Sequence, residues 1–185
     1  IKSKEGKYFI DEKKYEFKEN VIVENPDYKI RSNMMDYFLN SEITFFYKFS
    51  TIITDDYTIF CNEGFYDPQN KIGVFKKDAK VNSESRTIFG DSIFFDENKK
   101  YASASSNIKI IDEKENLIIK GEYAEVFEEL DSALITKNPV AINITKTDSL
   151  FIKADTLISL GTSQNRKVIG YYNVKFLSLI HISEP

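Results

Sequence analysis

Isoleucine recurs at one place in a unit that the chain repeats five times, and that column narrows the folds open to it. The segments KIRSNMMDY (Lys29 to Tyr37), TIFCNEGFY (Thr58 to Tyr66) and TIFGDSIFF (Thr87 to Phe95) align without a gap, and IIKGEYAEV (Ile118 to Val126) and FIKADTLIS (Phe151 to Ser159) follow as looser copies. With Ser32, Cys61, Gly90, Gly121 and Ala154 as the reference column, the steps are 29, 29, 31 and 33 residues. Two residues earlier stand Ile30, Ile59, Ile88, Ile119 and Ile152; one residue later stand Asn33, Asn62, Asp91, Glu122 and Asp155. Side chains two apart on a strand share a face, so each Ile and its small partner point the same way. Farther on the large residues change parity, as Met35 with Tyr37 and Ile93 with Phe95 do. A one-residue phase change marks a bulge or bend. Each strand is therefore expected to bend near its small residue, which gives the stack a folded cross-section.

Polar turns precede these strands at 24–27, 54–56, 82–85, 112–116 and 146–148, and a second set lies at 40–41, 67–70, 96–99 and 128–131. Both sets are rich in turn-forming residues and too short for parallel crossovers, so the units join as antiparallel hairpins, one per repeat of about 30 residues. The 15 Phe, 11 Tyr and many Ile and Val suit strands; only the stretch 124–130 reads as a short helix. The array is expected to be cut at both ends. Tyr8-Phe9-Ile10 and the strand that follows it read as the last half of an earlier repeat, and Asn173-Val174-Lys175-Phe176 restarts the pattern of Asn20-Val21-Ile22-Val23. Residues 1–176 thus form one repeat domain, while 177–185 (LSLIHISEP) match no repeat and read as a non-native tail.

The chemistry is sparse. The single histidine, His181, lies in that tail, so the repeats offer no imidazole for a catalytic triad or a His metal site, and the seven glycines are spread singly rather than gathered into a phosphate-binding loop. Asp91 with Asp96, or Asp55 with Asp56, are the only carboxylate pairs worth weighing for glycoside hydrolysis, and their places in repeat columns and turns favour a structural role. No catalytic residue, metal or cofactor is expected, and an enzyme is not. With 25 Lys and Arg against 29 Asp and Glu, both scattered, there is no basic stripe for nucleic acid. Lone Cys61 sits in the small-residue column and reads as packing. No apolar run is long enough for a membrane helix. The isoleucine column is first of all a core. A sheet that does not close fully would make the same column the floor of a groove for an apolar ligand.

The order of GDSIFFD (Gly90 to Asp96), SNIKIID (Ser106 to Asp112), IIKGEYAEVFE (Ile118 to Glu128) and DSLFIKADTL (Asp148 to Leu157) resembles the OstA-like, or LptA-like, family of lipopolysaccharide-transport proteins, in its long Bacteroidetes-type form. The resemblance covers about Asn20 to Phe176. It implies an all-β fold of bent antiparallel strands stacked as an open-ended, V-shaped β-jellyroll. It also implies location in the periplasm or on the periplasmic face of the outer membrane, with lipopolysaccharide or lipid A acyl chains in an apolar groove. Partners would be other Lpt-type jellyrolls, or further copies of the chain, joined end to end by strand pairing. On that reading Ile30, Ile59, Ile88, Ile119 and Ile152 line the groove, with Ile93, Phe95, Tyr37 and Tyr66 beside them. Two rivals stand against it: a structural or adhesive array with a closed, dry core, and a carbohydrate-active repeat protein with clustered carboxylates.

Overall fold

The computed structural model of the chain describes residues 1–84, 86–145, 149–161 and 165–178. Across them the polypeptide forms seventeen strands: β1 (Glu5–Phe9), β2 (Lys14–Glu24), β3 (Lys29–Phe38), β4 (Thr44–Phe46), β5 (Ser50–Ile53), β6 (Thr58–Cys61), β7 (Glu63–Asp67), β8 (Ile72–Asn82), β9 (Thr87–Asp96), β10 (Tyr101–Asp112), β11 (Leu117–Phe127), β12 (Ser132–Thr136), β13 (Val140–Ile144), β14 (Ser149–Lys153), β15 (Thr156–Leu160), β16 (Lys167–Tyr171) and β17 (Lys175–Ser178). The stretch expected as a short helix is the end of β11 followed by a turn. Its side chains alternate between buried and half-buried, which is strand periodicity. Leu177 and Ser178 lie in β17, and the rest of the tail, with His181, falls outside the described residues.

Every pairing is antiparallel and each strand adds to the last, as short turns require. The sheet is folded lengthwise into two arms. Six long strands (β2, β3, β8, β9, β10 and β11) run through the fold line, and the other passages break there into a strand in each arm. Thus β3 pairs with β5 through Lys29 to Ser32 in the first arm and with β4 through Met35 to Tyr37 in the second. The inner faces of the arms pack on each other, and one core cluster runs from Val21 to Leu157. This is the V-shaped, jellyroll-like arrangement of antiparallel strands.

The fold line has a specific backbone device. Glu19-Asn20, Lys77-Asp78, Ser106-Asn107, Lys137-Asn138 and Tyr172-Asn173 all have positive φ, between 49° and 61°. Where register is continuous, two such residues stand opposite one on the next strand: Lys18 faces Met34 and Val21 faces Ser32, which leaves Glu19-Asn20 against Asn33. The same count recurs at Lys77-Asp78 against Asp91. The extra residue is a bulge that bends the strand, and Asn and Asp tolerate its left-handed conformation better than other side chains. The phase change read from the sequence therefore falls one residue beyond the small column, at the polar column. That column binds the bulge: Asn107 Nδ2 donates to Asp91 Oδ2 at 2.7 Å, Asn173 Nδ2 to Asp155 Oδ2 at 2.8 Å, and Asn62 Nδ2 to the Lys77 carbonyl at 2.9 Å.

Small residues precede the corner because the arms converge there. A Cβ on Gly121 would lie 2.6 Å from Ile135 Cγ2, and one on Gly90 would lie 3.4 Å from the Ala104 Cβ. At the first repeat the room is just enough for Ser32 and Ser50, whose hydroxyls bond each other at 2.8 Å.

Candidate functional site

The interior of the first arm is one unbroken cross-strand row: Val23, Ile30, Ile52, Ile59, Val81, Ile88, Ile110, Ile119, Ala141, Ile152 and Phe176, each opposite the next. The five isoleucines read from the repeats fall on alternate strands of this row, and branched or small apolar residues from the intervening strands fill the gaps. The second arm supplies a facing row in which Tyr37, Thr44, Tyr66, Gly73, Phe95, Ala102 and Val126 follow one another. Ile93 belongs to the row nearer the corner, between Phe75 and Ala104. Ile30, Ile59, Ile88, Ile119, Ile93, Phe95 and Tyr66 are buried, and Tyr37 and Ile152 are half-buried.

Sequence reasoning passed over Val23, Ile52, Val81, Ile110, Phe46, Phe75 and Ile135, which share the same interior. The signal was present. Each of the first four stands directly across a short turn from a repeat isoleucine, so the turn length alone fixes its register.

The middle of this interior is closely packed, with Ile52, Ile59, Phe75 and Ile93 fully buried. Towards the C-terminal end it loosens into a cavity of about 210 Å³ lined by Leu117, Ala141, Leu150, Ile152, Val168, Asn143, Glu115 and Arg166. The apolar row ends there on Phe176, which is 67% exposed. Among the described residues β16 pairs with β15 and β17 with β14.

Opposite the corner, where the arm tips meet, the boundary of the interior is polar. Tyr57, at the first arm's tip, stacks edge-on against Phe95 and donates its hydroxyl to Glu128 Oε2 of the second arm at 2.6 Å. Burial and that carboxylate push the Tyr57 phenol pKa well up. Arg86, from the turn between β8 and β9, reaches across to Asp131 at 2.5 Å. Arg166, before β16 on the second arm, reaches the other way to Asp112 at the end of β10 (3.0 Å) and also to Asp131 (3.1 Å). The side chains of Arg86, Arg166 and Asp112 are only 3%, 6% and 5% exposed. Burial, then the neighbouring Arg166 charge, lowers the Arg86 pKa. Arg166 Nε is buried without a hydrogen-bond partner.

Asp91 and Asp96 do not come together as a hydrolytic pair. Asp91 holds the corner through Asn107, whereas Asp96 caps the turn at the second arm's tip by accepting from the Lys99 N–H at 3.0 Å. Its ion pair with Lys99 holds the Asp96 carboxyl below the usual range. Cys61 is buried on the inner face, and burial pushes its thiol pKa up to about 12.

No family model matches the sequence, and no curated protein matches it significantly. Solved structures do match. One is LptH of Pseudomonas aeruginosa, described as the LptA-homologous periplasmic component of the conserved lipopolysaccharide transport device. It superposes with a TM-score of 0.54 over 65% of this chain and 93% of its own, at 10% sequence identity. At that identity the likeness is one of fold, and it places the chain's bent, antiparallel sheet with the LptA-type jellyroll.

Proposed function

We propose that the chain is a lipid-carrying element of a periplasmic bridge, which shields the acyl chains of lipopolysaccharide between its arms while the sugars stay in water. The observation that carries this reading is the unbroken apolar row across eleven strand passages, which loosens into a cavity beside Ile152. A repeating row offers near-equal environments at each hairpin, so a chain could move along it without a large barrier. Each methylene removed from water contributes about 0.8 kcal/mol, so burying even half of a dozen-carbon chain gains roughly 5 kcal/mol. No covalent chemistry is needed, and none is drawn from the residues present. The fold shared with LptH supports the assignment, and joining to another jellyroll or a second copy would proceed by strand addition at a sheet edge.

A second reading, a structural array with a closed core, is favoured by the dense packing around Ile59, Phe75 and Ile93. Titration of the protein with lipopolysaccharide and with its deacylated form separates the two. Shielding predicts binding of the acylated ligand and at least a hundredfold weaker binding of the sugar alone. A closed array predicts binding of neither.

A further inference from the structure

Resting on the reading of the interior as an acyl trough, we infer that Arg86, Arg166, Asp112 and Asp131 form a latch that holds the two lips of the trough shut and parts to admit a chain from the side. Arg86 and Asp112 come from the first arm and Arg166 and Asp131 from the second, so the Arg86–Asp131 and Arg166–Asp112 pairs exist only when the tips are together. Arg86 lines a polar cleft of about 220 Å³ with Asn82, Glu84, Glu113 and Lys114, and Arg166 lines the cavity of about 210 Å³ beside Ile152. The Tyr57–Glu128 bond runs across the same seam.

The composition suits a clasp that opens better than a permanent weld. Apolar residues of similar volume would hold buried tips as firmly as ions, because paired charges give back in desolvation most of what they gain in attraction. What ions add is a state that water can relieve. Two guanidiniums share Asp131, and Arg166 Nε is left without an acceptor, so parting the lips returns under-satisfied donors to solvent. The apolar rows behind have no such compensation in water, but they gain one from an acyl chain. The latch thus favours the closed form when the trough is empty and yields when a chain replaces the inter-arm contacts. Entry from the side would leave the sugar of an amphiphile in water throughout, which entry through an open end of the trough does not require.

The test places nitroxide labels on two exposed tips, Glu84→Cys and Glu129→Cys, in a Cys61→Ala background, and reads their separation by pulsed dipolar spectroscopy. Uptake of cis-parinaric acid is followed in parallel by fluorescence. The variant Asp131→Asn keeps a side chain that tolerates the left-handed backbone of this residue (φ 45°) and removes the shared charge. It should lengthen and broaden the distance distribution and speed uptake at least tenfold. Adding Arg86→Met, which restores charge balance, should return both to the parent values. If Asp131→Asn does not fold, the parent protein carries the test, because loading it with cis-parinaric acid should lengthen the same distance. An unchanged distance in folded Asp131→Asn, or in the loaded parent, overturns the latch. Lengthening in Asp131→Asn with no probe bound by any form leaves the clasp standing and overturns the trough.

Discussion

Asn107 reports on what makes this sheet fold lengthwise. Its φ is 54°, and its Nδ2 donates to Asp91 Oδ2 across the corner at 2.7 Å. Replacement by Gly removes an exposed hydrogen bond to a charged group, about 1 kcal/mol, and adds unfolded-chain entropy of about 0.5–1 kcal/mol. The left-handed backbone is then free of strain, so the total is about 1.5–2 kcal/mol. Ala loses the same hydrogen bond and pays about 1–2 kcal/mol for a Cβ in the left-handed region, which gives about 2–3 kcal/mol. Val adds β-branching where it is least tolerated and should cost about 3–4 kcal/mol. With a urea dependence of about 2 kcal/mol per molar, the midpoints of equilibrium unfolding, followed by circular dichroism, should fall by roughly 0.8, 1.2 and 1.8 M in that order. Strand propensity gives the opposite ranking, with Val best and Gly worst over a span of about 1 kcal/mol. If stability follows Val, Ala, Gly, the corner is not made by left-handed residues and the account of the fold line fails.

Three further outcomes follow from the burial pattern. Ile59→Ala should cost about 2–5 kcal/mol in urea unfolding as an interior truncation, whereas Phe60→Ala, next to it on the outer face beneath Lys80, should cost about 1 kcal/mol. Gly121→Ala and Ile135→Ala should be coupled, the double variant being more stable than the sum of the singles by about 0.5–2 kcal/mol, because the added methyl and the removed Cγ2 claim the same space. Cys61 should resist a thiol reagent at pH 8. A folded pKa raised to about 12 leaves far less thiolate than the unfolded thiol near 8.5 has, so labelling should be at least about a thousandfold slower than in urea.

The strand content, the hairpin succession and the inward direction of the isoleucine column were legible because they rest on local rules: period-two alternation, short polar turns and a recurring residue. The bend was legible as a phase change but not as a mechanism. Asn20, Asn107 and Asn173 read as strand starts, although each is the second residue of a left-handed pair inside a continuous passage or between two strands. Nothing in a single strand says that its Asn will bond a polar residue on the next. The seam was illegible for a stronger reason. Tyr57 and Glu128 are 71 residues apart, and Arg86 and Asp131 are 45 apart, in turns whose polar residues look like any solvated loop. Only the folding of one arm over the other brings them together and takes their water away.

The central claim is that acyl chains lie between the arms, and site-specific photo-crosslinking tests it most directly. A benzophenone amino acid is placed at Ile88 or Ile119 on the inner face, and at Phe89 or Lys120 on the outer face, and cells are irradiated and probed for adducts to lipopolysaccharide. The account predicts adducts from the two inner positions and not from the outer ones. Adducts confined to Phe89 and Lys120, or none from any position in folded protein, would contradict it.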